Sequence, residues 1–131
     1  MAIIVAVLIT SVALLFRWLS MDSYSLEIDP DEVYRIIWSS FLRTGIHEVT
    51  ERDEIEEIVR HLNAWRLINR TPHRGDIGSE TPDMSIGFYD ENGNRKLYVS
   101  VRETGHIRLA GIWHQIIWDW APVTRFSERF G

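Results

Sequence analysis

The side chains able to do chemistry in this chain are five histidines and 19 carboxylates, with no cysteine among the 131 residues. His47-Glu48 opens like the helical zinc-protease pattern, in which two histidines four apart hold the metal and the glutamate between them acts as base. The position four after His47 is Glu51, so the second ligand is missing, and His61, His73, His106 and His114 stand at no ligand spacing. No metal and no cofactor are expected. Asp76, Glu80 and Asp83 share one polar stretch and would be the carboxylates of a hydrolytic acid–base pair, which needs one member desolvated so that its proton is held at neutral pH. Nothing in the flanking residues supplies that desolvation. Asp29, Asp31 and Glu32 lack the glycine-centred alternation of a calcium loop. There is no nucleophile elbow and no glycine-rich phosphate loop, since Gly75 and Gly78 stand alone beside Asp76. No catalytic residue is assigned.

Binding chemistry is better represented. Six tryptophans are many for this length, and Trp118 and Trp120 flank Asp119 at the end of an apolar stretch, where an extended chain sets them on the same side. Exposed, the pair would be an adhesive aromatic patch for a protein, glycan or membrane-surface contact; packed, it would close the open end of the core. Trp118 and Trp120, with His73 and Asp76 of the polar stretch, are the candidate binding residues.

Composition narrows the classes further. The lack of cysteine excludes disulfides, thiolate metal sites, a thiol nucleophile and a lipidated N-terminal cysteine. The chain carries a net charge of −5, and past Met21 there are 13 basic against 19 acidic residues, a net of −6. That balance argues against nucleic acid, whose recognition rests on clustered Lys and Arg.

Hydrophobic residues make up 16 of the first 20 positions. Ala2 to Phe16 is uncharged, and the apolar character resumes at Trp18 and Leu19 around Arg17. Taken as helical, residues 2–19 measure about 27 Å, close to the roughly 30 Å of a bilayer's hydrocarbon core, with Arg17 and Trp18 suited to the interface. The competing readings are a cleaved signal peptide, which lacks a basic leader and a small-residue cleavage site here, and a buried core helix. The expectation is an uncleaved single-pass anchor over residues 1–20, in contact with the lipid bilayer through residues 2–19.

Residues 21–31 read as a polar spacer and residues 32–131 as a small α+β domain. Glu32 to Phe41 suits a first strand, and Ile46 to Val49 pairs back or continues the edge. Ile55, Ile58, Val59 and Leu62 recur at helical spacing after Thr50, whose hydroxyl is placed to cap a helix over residues 51–64. Residues 69–82 form a loop of about 14 residues, long enough to be a candidate for function. Met84 to Tyr89 and Lys96 to Val101 alternate about an Asn92-Gly93 turn, which predicts a hairpin. Two further strands follow over residues 107–109 and 112–117, and Phe126 and Phe130 mark one helical turn. The fold expected is α+β: one amphipathic helix on a four- to five-stranded antiparallel meander, preceded by a transmembrane helix.

Thr50, Ile55, Ile58, Val59, Leu62 and Asn63, then Ser85, Ile86, Phe88, Tyr89, Asp90 and Gly93, then Ile107, Leu109, Gly111 and Trp113 form a pattern that resembles small uncharacterised domains of Gram-positive bacteria (Bacillota). The resemblance covers roughly residues 32–117. It implies an extracytoplasmic domain on a membrane anchor or lipoprotein tether, with no assigned activity and no catalytic residue to carry over; without a cysteine, tethering would depend on the N-terminal helix. The function expected is a membrane-anchored extracytoplasmic accessory or binding domain, in contact with the bilayer and with a protein partner. The alternatives are a cytoplasm-facing inhibitor or immunity-type module that meets a basic target through its acidic surface, and a hydrolase using the loop carboxylates.

Overall fold

The computed structural model describes residues 2–21, 23–69 and 82–131, with side chains throughout except at 16–21. Eight antiparallel strands form one sheet in the order β1-β4-β8-β7-β6-β5-β2-β3. They are β1 (Ser23–Tyr24), β2 (Arg35–Ser40), β3 (Arg43–Val49), β4 (Arg66–Ile68), β5 (Met84–Tyr89), β6 (Arg95–Val101), β7 (His106–Leu109) and β8 (Ile112–Ile117). The α-helices among the described residues are α1 (Ala2–Met21), α2 (Arg52–Asn63) and α3 (Pro122–Phe130).

Alternation along the strands sorts the sheet into two faces. Cross-strand rows Ile36–Phe88–Leu97, Trp38–Ile86–Val99–Leu109 and Met84–Val101–Ile107 point to one side. There they meet the buried stripe Ile55, Ile58, Val59 and Leu62 of α2 and Val123 and Phe126 of α3 in a single core. The β5–β6 hairpin turns at Gly93 with φ +81°, a left-handed conformation that glycine adopts without cost. The Asp90 carboxylate accepts the N–H groups of Asn92 and Asn94 at 3.0 and 2.9 Å, and the Asn94 bond above all holds its pKa below the usual carboxylate value.

Helix α2 follows its apolar stripe, but its start differs from expectation. Glu51, in extended conformation, occupies the N-cap, and no side chain caps the helix; Asp53 and Glu54 in the first turn complement the dipole instead. Its last residue, Asn63, exchanges two hydrogen bonds with the backbone of Ile28, at 3.0 Å to the N–H and 2.9 Å to the carbonyl. At the other end Arg52 donates to the carbonyls of Pro30 and Val33 at 2.6 and 2.8 Å. These clamps lay residues 26–33 along the helix and seat Leu26 and Val33 in the core.

Two expectations are corrected here. The sheet has eight strands rather than four or five, and among the described residues three α-helices accompany it rather than one amphipathic helix behind an anchor. Two of the additional strands, β1 and β4, are two and three residues long, too short for alternation to show, and pair through their backbones: Tyr24 opposite Leu67, and Leu67 opposite Ile116. The second correction is the single-pass membrane location. Among the described residues no helix is long and apolar enough to cross a membrane. The side chains of α1 that are described, at residues 2–15, form an uncharged run. Those side chains are all exposed, and Thr10 and Ser11 return their hydroxyls to the carbonyls of Ala6 and Val7 at 2.8 Å.

Candidate interaction site at the β8–α3 turn

Ile117 ends β8, and the chain turns sharply through Trp118, Asp119 and Trp120 into α3. Trp118 takes φ +67°, a left-handed conformation that a bulky side chain adopts only when its surroundings impose it, at a cost of about 1–3 kcal/mol. Several contacts impose it. The Ile116 N–H donates to the Gly105 carbonyl at 2.6 Å, tying the end of β8 to the β6–β7 turn. Gly105, at φ +91°, lets the two backbones approach, and a Cβ there would meet the Ile116 oxygen at 3.4 Å. Beyond the turn, Asp119 accepts the Ala121 N–H at 3.2 Å and faces the Arg125 guanidinium at 3.5 Å.

The start of α3 is capped from a distance. Ala121 at the N-cap has no side chain to offer, and Pro122 occupies the first turn. Glu103 of the β6–β7 turn accepts the Thr124 N–H at 3.0 Å and the Thr124 hydroxyl at 2.6 Å. A carboxylate at the positive end of the helix thus supplies the bond that a local Ser or Asp would. Glu103 is itself placed by Asp83, which accepts the Glu103 N–H at 2.8 Å while its other oxygen lies 3.9 Å from Arg102 Nη1. The arrangement braces the β5 start, the β6–β7 turn and α3 against one another.

On this frame the two tryptophans project outward, Trp118 at 71% and Trp120 at 86% of full exposure. They do not close the core. Phe126 does that, edge-on to Trp38 at 5.1 Å and beside Phe130 at 4.8 Å. Of the other candidates, Asp83 is held by Arg102 and Glu103, while His73, Asp76 and Glu80 lie outside the described residues. Among the described residues no group of three or more His, Asp or Glu is placed to hold a metal. His47 stacks on Trp38 at 4.2 Å, His114 hydrogen-bonds the Tyr24 hydroxyl, and His106 Nδ1 lies 2.8 Å from the Thr104 hydroxyl.

His61 is the histidine that joins the helices, with ring centroids 5.7 Å from Phe126 and 5.4 Å from Phe130. Burial pushes its pKa below the usual 6.5, the Arg129 charge adds to this, and Asp119 opposes it. The folded state therefore prefers neutral His61. The associated stability is full above about pH 6.5, where the unfolded chain is also neutral, and falls as the pH drops and the unfolded chain takes up a proton that the folded chain resists. The urea midpoint is expected to fall from about pH 7.5 to about pH 5.5, and to fall less in His61→Gln. Equal slopes in the two proteins would remove His61 as the cause.

No protein-family model matches the chain, and neither a curated protein nor a solved structure matches it. The geometry of the site displays two large aromatic surfaces on a braced turn. Sequence reasoning pointed to Trp118 and Trp120 but not to Glu103, whose role depends on a helix 21 residues further along; the bare Ala121-Pro122 start was the available signal that a cap must come from elsewhere.

Proposed function

We propose that this protein is a binding domain rather than an enzyme, presenting Trp118 and Trp120 to a protein partner and contacting lipid through the apolar residues of α1. The observation that carries the reading is the exposure of the two tryptophans on a strained turn held by polar contacts on both sides. A strained backbone and two solvated indoles both cost free energy, and a contact that buries the rings offsets both. Tryptophan is also the side chain most enriched among the residues that dominate interface energies. The uncharged, exposed run from Ala2 to Leu15 supports the lipid contact, since apolar surface of that extent is stabilised by leaving water.

A photo-reactive benzophenone residue at position 120, in the full chain in its own cells, is expected to give a discrete adduct, and the same residue at Glu57 on α2 none. No adduct at 120, or the same adducts from both positions, would overturn the protein-contact reading. In vesicle flotation with phosphatidylcholine, the full chain is expected to rise with the lipid and a chain lacking residues 2–20 to stay below. Equal behaviour of the two would remove the lipid contact.

A further inference from the structure

The face of the sheet turned away from α2 and α3 carries a different chemistry from the rest of the molecule. Arg35 opposes Tyr89, which opposes Arg95; Ile37 opposes Gly87, which opposes Tyr98; and Ser39, Ser85, Ser100, Arg108 and Trp113 form one continuous row across five strands. Three guanidinium groups lie over aromatic rings on this face: Arg35 over Tyr89 at 4.8 Å, Arg95 over Tyr98 at 4.6 Å, and Arg108 over Trp113 at 5.9 Å. Stacking fixes the plane of a guanidinium and leaves its N–H edge available to a planar acceptor. Between the stacked pairs runs a shallow groove of about 430 Å³, lined by Arg95, Tyr98, Ser100 and Arg108.

The charges in this groove are unbalanced. Arg35 is paired with Glu48 at 3.8 Å and Lys96 with Asp90 at 3.4 Å, but Arg95 and Arg108 have no carboxylate partner among the described residues. Both are exposed, and Tyr98 is 43% exposed between them. Ser39, Ser85 and Ser100 stand opposite one another in register, so a row of small hydroxyls leads across the sheet to Arg108. In a chain of net charge −5, two free arginines with hydroxyls between them form a local positive field against the overall sign.

We propose that this face binds an acidic segment of a partner protein, with Arg95 and Arg108 each taking a side-chain carboxylate, Tyr98 packing against the segment's stem and the serine row donating to it. A carboxylate matches the two-pronged N–H edge of arginine, and serine hydroxyls add bonds without adding charge. The alternative polyanion, a nucleic-acid strand, repeats its phosphates along its length and calls for an extended basic track, which the overall negative charge opposes. The surface is separate from the aromatic β8–α3 turn and does not depend on it.

The test is fluorescence anisotropy of a labelled peptide of about ten glutamates, titrated with the full chain at low salt, where surface charge is least screened. Binding is expected to weaken at least about tenfold in R95Q/R108Q, about threefold in R108Q alone, and not at all in W118A/W120A; it should also fade as salt is raised. Far-UV circular dichroism and Tm of R95Q/R108Q are expected to match the parent, because both side chains are exposed. Absence of peptide binding, equal binding by parent and R95Q/R108Q, or tighter binding of an oligothymidylate of similar length would each overturn the proposal.

Discussion

Truncating Phe126 to alanine is expected to destabilise the protein by about 3–5 kcal/mol, the range for emptying a fully buried phenylalanine site. The ring is wholly buried and joins three elements: Trp38 of β2 edge-on, His61 of α2, and Phe130 of α3 itself. A cavity there cannot collapse easily, because Trp38 is already fixed by stacking on His47 at 4.2 Å. Helix α3 has nine residues, below the roughly 12–15 at which an isolated helix becomes even marginal in water, so its order depends on this anchor. Loss of the ring should therefore also release the bonds further along α3, from Ser40 to the Ser127 hydroxyl at 2.8 Å and from Arg43 to the Ser127 carbonyl at 3.3 Å. Urea unfolding of F126A against the parent measures the effect. Set against a total stability of about 5–15 kcal/mol for domains of this kind, it would leave the variant close to unfolding. A cost below about 1 kcal/mol would show instead that α3 packs as an appendage.

How much of this could be read from the chain depended on the range of the interactions involved. Ile55, Ile58, Val59 and Leu62 declare their helix because a stripe at helical spacing is a local property, and the β5–β6 hairpin declares itself through alternation and Asn92-Gly93. The short strands β1 and β4 were not legible, since each exists only because a neighbour supplies backbone partners. The N-terminal segment was legible as a helix, but helical character does not by itself make a membrane span, and among the described residues no helix is long and apolar enough to cross one. At the aromatic turn the two tryptophans were conspicuous, while their exposure was not: it follows from the left-handed backbone at Trp118, imposed by Gly105 and Asp119, and from Phe126 taking the place in the core that the tryptophans would have filled. The arginine–serine face was hidden for a related reason. Its residues come from five strands, and only the observed register lines Ser39, Ser85, Ser100, Arg108 and Trp113 into one row.

Asp83 shows how a carboxylate suggestive of acid–base chemistry can instead be a structural counter-ion, and its replacement by alanine is the other change expected to be severe. The Arg102 side chain is only 5% exposed, and its Nε has no hydrogen-bond partner among the described residues. Asp83 faces it at 3.9 Å and also accepts the Glu103 N–H, which positions the carboxylate that caps α3. Asp83→Ala would leave a buried guanidinium without its counter-charge and loosen the cap, and about 3–5 kcal/mol is the expected cost of breaking such a pair from one side. Removing the cation is a different operation. Arg102→Met keeps the apolar stem, deletes the charge that had to be desolvated, and is expected to cost far less, because the pairing at 3.9 Å is lost together with the desolvation it offsets. The double variant D83A/R102M should accordingly be more stable than D83A alone, an inversion that a double-mutant cycle in urea detects directly. If D83A proved harmless, the carboxylate would not be needed as a counter-ion, and acid–base chemistry would again be open to it. If D83A is costly and R102M rescues it, the charge of Asp83 is committed to holding Arg102, and the β6–β7 turn with its remote helix cap rests on that pairing.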